Sequence, residues 1–158
     1  MPQRLQYAEL APNGFAALRA VEHYANTGTL LDPVLIELVR LRASLLNGCE
    51  YCIGLHTHEL KKRNETPDRI TQLPTWRTSN AYTERERAAF AWTEAITNIQ
   101  QGHASDEAYA AVREHFGEVD LVNLTLAIAS INAWNRVAIA FRAEKIRVSP
   151  SSATEAKP

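Results

Sequence analysis

Apolar residues recur along this chain at intervals of three and four positions, the spacing that places them on one face of an α-helix. In the clearest example, residues 34–45, four apolar residues share one face: Val34, Leu38, Leu41 and Leu45. Asp32 precedes them as an N-cap acceptor, and Pro33 occupies the first helical position. The pattern predicts a helix that begins at Pro33 and ends at the pair Asn47 and Gly48, which is typical of a helix C-terminus.

The same spacing predicts the remaining elements. Thr83 and Glu86 match a capping box, which marks the start of one further helix. Helices are predicted over residues 15–28, 33–47, 49–63, 69–73, 84–101, 105–117 and 118–141, the last as one helix or two. Residues 1–12 are predicted to form an extended lead-in. No segment of the sequence alternates between apolar and polar residues as a strand would, so we predict an all-α fold of six or seven helices.

Length and charge limit the domain organisation and the partners. A chain of 158 residues is long enough to bury a core, and we expect a single helical domain over residues 1–148. Residues 149–158 are rich in Ser, Ala, Pro and Lys and are expected to form a disordered tail. The formal net charge is -1, with 17 basic and 18 acidic residues, so we expect neither nucleic acid nor a membrane surface as a partner.

The most apolar stretch, residues 121–141, is expected to be a buried helix rather than a membrane span. It carries several polar residues, and the sequence contains no run of 18 apolar residues. The N-terminal residues show no apolar segment typical of a secretory signal, so we expect a cytoplasmic protein. Because the cytoplasm is reducing, two closely spaced cysteines there favour catalysis or metal binding over a structural disulfide.

The two cysteines, Cys49 and Cys52, lie in the first turn of the helix predicted over residues 49–63. The start of a helix carries unpaired N–H groups and the positive end of the helix dipole, and both favour a thiolate over a thiol. His56 follows Cys52 by four residues and therefore lies on the same helical face. Glu37 lies next to the apolar stripe of the preceding helix. A carboxylate, two thiols and a histidine can therefore meet where the two helices join.

Each of these residues also has a simpler interpretation. The two cysteines could pack as small hydrophobes. They could bind zinc together with His56 and His58, but ligands on one continuous helix point over more than half of its circumference. His56 could be an ordinary core or surface histidine. Glu37 could be a surface acid paired with Arg40 or Arg42, an arrangement of little consequence.

The residues Glu37, Cys49, Cys52 and His56 form the array E-x11-C-x2-C-x3-H. Together with the phrase INAWNRVAIAFR at residues 131–142, this array resembles the AhpD-like alkylhydroperoxidases of the carboxymuconolactone decarboxylase superfamily. The resemblance covers roughly residues 15–142. It implies an all-helical fold that assembles as trimers or hexamers, with thiol-dependent peroxidase or disulfide-reductase chemistry. No cofactor or bound metal is expected.

The resemblance also implies a role for each residue of the array. Cys52 matches the thiol that attacks peroxide, Cys49 the resolving thiol, and His56 a histidine beside the reactive sulfur. Glu37 matches a carboxylate that accepts a proton through a water, and a buried carboxylate with a raised pKa could take a thiol proton near neutral pH. Tyr51 stands where well-characterised members have histidine. Its phenol, with a pKa of about 10, can donate a hydrogen bond or pack as an aromatic ring but is a poor base at neutral pH.

The sequence therefore predicts a cytoplasmic, oligomeric enzyme that reduces hydroperoxides through Cys49 and Cys52. A thiol or lipoyl-type reductant is expected to restore the two thiols. One alternative is a redox-responsive oligomer without enzymatic activity, because a sensor and a peroxidase need the same acidic thiol. A second alternative is an acid–base enzyme of the decarboxylase branch, which has no need for two cysteines.

Overall fold

The computed structural model describes residues 2–144 of the chain. Over this range the chain forms eight α-helices and one 3₁₀-helix, with no β-strand, which confirms the predicted all-α fold. The helices are α1 Tyr7–Leu10, α2 Pro12–Thr27, α3 Pro33–Asn47, α4 Glu50–Lys62, α5 Pro67–Gln72, the 3₁₀-helix Leu73–Thr78, α6 Glu84–Thr97, α7 Asp106–Arg113 and α8 Glu118–Phe141. The tail predicted at residues 149–158 lies outside the described residues.

Local signals at the helix starts are confirmed. The Asp32 carboxylate accepts a hydrogen bond from the Val34 N–H at 2.8 Å and caps α3. Thr83 and Glu86 form the predicted capping box at the start of α6, each side chain bonding to the other residue's backbone N–H. These caps satisfy N–H groups that have no partner within the helix, which is why four or five residues of sequence suffice to predict them.

Two segments outside the predicted helices are helical in the structure. The lead-in contains the short helix α1, whose Tyr7 ring lies 5.3 Å from the Phe15 ring and 5.4 Å from the Phe141 ring. Helix α5 ends at Gln72, within one residue of the predicted end, and a 3₁₀-helix with non-helical backbone at Thr75 follows from Leu73 to Thr78. Pro74 is tolerated there because it lies in the first turn of the 3₁₀-helix, where its missing N–H has no partner to lose.

Helix α3 lies at the centre of the domain and packs against α4, α6 and α8. Most of its side chains are buried, and the buried set includes Glu37 and Arg40 as well as the apolar residues of its stripe. A charged pair inside the central helix is unusual, since buried charges are stable only when they are paired and hydrogen-bonded. The buried pair of Glu37 and Arg40 therefore distinguishes this part of α3 from an ordinary apolar core.

Three amides join α3 to α8 just before the two cysteines. The Asn47 Nδ2 group donates to Asn132 Oδ1 at 2.9 Å and to Asn135 Oδ1 at 2.8 Å. The Asn135 Nδ2 group donates in turn to Ser44 Oγ at 3.1 Å. Asn132 and Asn135 are buried, so the network satisfies polar groups that would otherwise destabilise the core. It thereby holds the end of α3, and with it the start of α4, against α8.

Helix α8 forms one continuous element, and it is a core helix on only part of its surface. It is long and apolar enough to cross a membrane, a property that the core helix of a soluble protein can share. Its buried residues pack against α2, α3 and α6. The predicted burial on nearly all sides is wrong for four large apolar residues, which are exposed: Val119, Val122, Leu126 and Ile139.

Candidate active site

The site begins at the tight turn between α3 and α4. Gly48 has a φ of 67°, in the left-handed region where a side chain would be strained, and its N–H bonds to the Leu45 carbonyl. The Cys49 N–H bonds to the Ser44 carbonyl at 3.0 Å. Because the turn uses only one residue beyond α3, α4 starts at once, with Cys49 as its N-cap. The placement of the CxxC pair at a helix N-terminus is confirmed.

The two cysteines form a disulfide across the first turn of α4, with their Cα atoms 5.3 Å apart. Both are almost completely buried, with 1% of Cys49 and 3% of Cys52 exposed. The Cys49 sulfur also accepts the Cys52 N–H at 3.4 Å, as a capping atom would. The Cys49 sulfur therefore meets an N–H group at the positive end of the helix, a position that favours a thiolate after reduction.

Glu37 lies at the centre of a buried set of charged and polar groups. Its Oε1 accepts a hydrogen bond from Arg40 Nη1 at 2.7 Å, and its Oε2 lies 2.8 Å from His56 Nδ1. Only 4% of Glu37, 2% of Arg40 and 3% of His56 is exposed. The interpretation of Glu37 as a surface acid is therefore wrong, although Arg40 is its partner. Arg42 bonds instead to Glu94, at 2.7 Å.

The expectation of a raised pKa for Glu37 is also wrong. Burial by itself would raise the pKa of this carboxyl, but the hydrogen bonds from His56 and Arg40, together with the positive charge of Arg40, outweigh burial and hold the pKa below its ordinary value. Glu37 is therefore a carboxylate at neutral pH and is a poor acceptor for a thiol proton. It can instead hold the imidazole of His56 with Nδ1–H directed at Oε2, which leaves Nε2 as the basic nitrogen.

A cavity of about 190 Å³ lies beside the disulfide, between α1, α2, α3, α4 and α8. Cys52, His56 and Tyr51 line it, whereas Cys49 does not. Tyr7 lines the same cavity, and burial, together with a smaller effect of the Tyr51 phenol, raises the pKa of Tyr7. The structure therefore brings together the predicted residues, with Glu37 supporting His56 from the side of α3.

Nine residues that line this cavity had no place in the predicted site, and Arg40, Ser130 and Trp134 are among them. Arg40 follows Glu37 by three residues, so its position on the same buried face was readable from helical spacing. Ser130 and Trp134 are likewise one turn apart on α8. A helix that is apolar on most sides gives no indication of which face meets the site, so the sequence could not identify them.

Comparison with known proteins identifies the family. The sequence profile of the carboxymuconolactone decarboxylase family matches residues 12–95, a range that includes α2, α3, the cysteine pair and most of α6. This chain belongs to the carboxymuconolactone decarboxylase family. The match extends over both helices that form the site, so this family assignment covers the array of Glu37, Cys49, Cys52 and His56.

Within the carboxymuconolactone decarboxylase family the chain is AhpD-like. It is 39% identical over 140 residues to the uncharacterized protein YdfG of Bacillus subtilis, covering 89% of this chain and 95% of YdfG. The solved structure of ATU0492 from Agrobacterium tumefaciens, a protein of unknown function provisionally assigned to antioxidant defence as AhpD, superposes with a TM-score of 0.88 at 38% identity. That similarity covers 91% of this chain and 98% of ATU0492.

A more distant member of the same fold is a peroxidase-related protein with an AhpD core from Ralstonia eutropha. It superposes with a TM-score of 0.76 at 21% identity, over 88% of this chain and 74% of its own. At this identity the similarity shows the fold alone.

In residues 2–144, no group of three or more His, Cys, Asp or Glu side chains is arranged to hold a metal ion.

Proposed function

We propose that the protein is a thiol-dependent hydroperoxidase that reduces organic hydroperoxides through a dithiol–disulfide cycle of Cys49 and Cys52. This proposal rests on one observation. Cys52 and His56 line the same cavity, and His56 is hydrogen-bonded to the buried carboxylate of Glu37. Such a constellation supplies a nucleophile, a base and a group that orients the base. The AhpD-like relationship supports an antioxidant role of this kind.

The cycle starts from the reduced pair of thiols. His56 Nε2 accepts the proton of Cys52, and the N-terminus of α4 stabilises the resulting thiolate. The thiolate attacks the terminal oxygen of ROOH, so an S–O bond forms, the O–O bond breaks and the electron pair passes to the RO oxygen. The proton held by His56 then converts this alkoxide to the alcohol ROH. Cys52 is left as a sulfenic acid.

Cys49 completes the oxidation. Its thiol attacks the sulfenic sulfur, so the S–S bond forms, the S–O bond breaks and water leaves. The product is the disulfide seen in the structure, between two residues that share the first turn of one helix. An external dithiol, of the thioredoxin or lipoyl class, must then supply two electrons and two protons to restore the thiols. We place this cycle in the cytoplasm, where such reductants act.

Tyr51, which lies between the two cysteines in the sequence, lines the cavity. Its phenol can donate a hydrogen bond there. A neutral phenol is a poor base near neutral pH, so we assign proton transfer to His56 and hydrogen-bond donation to Tyr51. This division of roles differs from the one expected from the sequence, in which Glu37 received the thiol proton.

The first test is the consumption of cumene hydroperoxide by the reduced protein, with free thiols counted before and after. We expect two thiols per chain to be lost when no reductant is present, and turnover to continue for many cycles when a dithiol is supplied. A protein that consumes about one equivalent of peroxide and stops, even with a dithiol, would be a redox-responsive protein rather than a peroxidase. Two thiols that persist in the presence of peroxide would contradict both functions.

We also propose that the protein forms a homo-oligomer, a trimer or a hexamer. The exposed apolar residues of α8 give it a surface suited to contact with a second copy. Light scattering coupled to gel filtration should therefore give a mass at least three times that of the 17.7 kDa chain. Replacing Val122 with aspartate should lower this mass, whereas adding the same negative charge at an exposed polar residue outside α8, Gln101→Asp, should not. A monomeric mass for the unmodified chain would contradict the proposal.

A further inference from the structure

Four buried side-chain atoms have no hydrogen-bond partner among residues 2–144: Arg40 Nη2, His56 Nε2, Ser130 Oγ and Trp134 Nε1. Buried polar atoms are nearly always paired in folded proteins, so each exception calls for an explanation. All four residues line the cavity beside Cys52. Because the unpaired atoms collect at a single cavity, they indicate that the cavity is built for a polar ligand.

The chemistry of the four atoms defines the ligand's head group. Arg40 Nη2 and Trp134 Nε1 can only donate hydrogen bonds, and the Ser130 hydroxyl can donate one as well. His56 Nε2 is the one acceptor, since Nδ1 is directed at Glu37. The set therefore fits an oxygen atom that accepts several hydrogen bonds. Glu37 lies 2.7 Å from Arg40 and balances its charge, which favours an oxygen that gains charge during reaction over a permanent anion.

The apolar residues of the lining suit the organic part of the ligand, while charged residues of α2 and the phenols of α1 and α4 complete the wall. Leu55, Ile131 and Ala138 contribute apolar surface to the cavity. An apolar cavity of about 150 Å³ is enough to hold benzene, so the cavity of about 190 Å³ has room for one small aromatic or branched alkyl group beside the polar head. A long lipid chain would not fit inside it.

We propose that Trp134, together with Ser130 and Arg40, binds the leaving-group oxygen of a small organic hydroperoxide. In the attack of Cys52 on ROOH, the electron pair of the O–O bond passes to the RO oxygen. Three preorganised donors at that oxygen stabilise the developing alkoxide until His56 returns the proton, as in an oxyanion hole. This role rests on the proposed peroxidase function. It adds residues of α3 and α8, outside the cysteine helix, that bind the substrate and favour organic peroxides.

The binding part of the proposal can be tested without any turnover, in the oxidised protein. The chain has three tryptophans, so the indole N–H signals in a ¹H–¹⁵N spectrum can each be assigned with a Trp→Phe variant. The alcohol product 2-phenyl-2-propanol should shift the Trp134 signal downfield in a saturable way. The signals of Trp76, bonded to Glu94, and of Trp92, bonded to Thr125, should stay in place. Isopropylbenzene, which has the same apolar group without the oxygen, should not produce the downfield shift.

The kinetic part uses Trp134→Phe, which keeps an aromatic ring and removes the N–H. We expect kcat/KM for cumene hydroperoxide to fall on the order of 10²-fold, the effect of removing one donor to a developing oxyanion. The reaction of the reduced protein with a disulfide reagent should be unchanged, because it releases no alkoxide. The matched control is Trp92→Phe, whose lost N–H bonds to Thr125 away from the cavity; it should leave kcat/KM unchanged.

The outcomes separate this role from the function on which it rests. If the unmodified protein turns over peroxide but Trp134→Phe keeps its kcat/KM, the role of Trp134 is overturned and the peroxidase stands. A Trp134 signal that does not move, or three indole signals that move alike, also overturns it. If the unmodified protein shows no turnover with any hydroperoxide, the proposed function fails and the catalytic role fails with it.

Discussion

Cys52→Ser is expected to abolish peroxide consumption, while Cys49→Ser is expected to retain one round of it. Cys52 lines the cavity and Cys49 does not, and His56 lies one turn after Cys52 on the same helix. A serine hydroxyl is not ionised near neutral pH and cannot replace the thiolate as nucleophile. In Cys49→Ser the first step remains, but no resolving thiol is present to remove the sulfenic acid at Cys52.

The measurement is peroxide loss per chain, combined with trapping by dimedone and mass spectrometry. Cys49→Ser should consume about one equivalent and carry one dimedone adduct at Cys52, whereas Cys52→Ser should carry none. The two variants are matched controls, because each removes one buried sulfur from the same helical turn. Full activity in Cys52→Ser, or an adduct at Cys49 in that variant, would assign the attacking thiol to Cys49 instead.

Glu37→Gln is expected to lower both the stability of the fold and the rate of peroxide attack. The amide keeps the shape of the carboxylate but leaves the buried guanidinium of Arg40 without its charge partner. Removing one member of a buried ion pair costs about 3–5 kcal/mol in the free energy of unfolding. The amide can also present its N–H₂ group to His56 and reverse the tautomer, which should slow thiol deprotonation on the order of 10²-fold.

The pH dependence of this stability loss has a definite sign. The pKa of Glu37 is lower in the folded protein than its ordinary value of 4.5, so the folded state holds the carboxylate more strongly than the unfolded state does. Its contribution to stability is therefore fully present above pH 4.5 and is lost as the pH falls through the folded pKa. Urea unfolding at several pH values should show a constant difference in the free energy of unfolding between the unmodified protein and Glu37→Gln near neutral pH. In acid this difference should shrink.

Glu94→Gln is the matched control for Glu37→Gln. The Glu94 carboxylate bonds to Arg42, Arg77 and the indole of Trp76 on the other side of α3, so its loss should also destabilise the fold. It lies outside the cavity and should leave the rate of peroxide attack unchanged. If the two variants lower stability and rate to the same extent, Glu37 is a structural residue and the assignment of His56 as an oriented base is wrong.

Much of the fold could be predicted because its signals are local. Asp32 with Pro33, Gly48 after Asn47, and the Thr83–Glu86 box each satisfy backbone groups within a few residues, so their effect does not depend on the rest of the chain. The same holds for the CxxC pair, whose first-turn position depends on Gly48 ending α3 and on α4 beginning at once. The spacing of the array could likewise be read directly, because helical periodicity places residues three and four apart on one face.

The sequence by itself therefore determined the helices, the turn that carries the cysteines and the set of chemical groups near it. Only the tertiary structure decided what those groups do. Burial beside Arg40 and His56 makes Glu37 a stable carboxylate that orients a base, because opposite charges at hydrogen-bond distance outweigh desolvation. Packing of α8 against α2, α3 and α6 brings the unpaired N–H of Trp134 to the cavity. Both effects depend on contacts between residues distant in sequence, which no local pattern records.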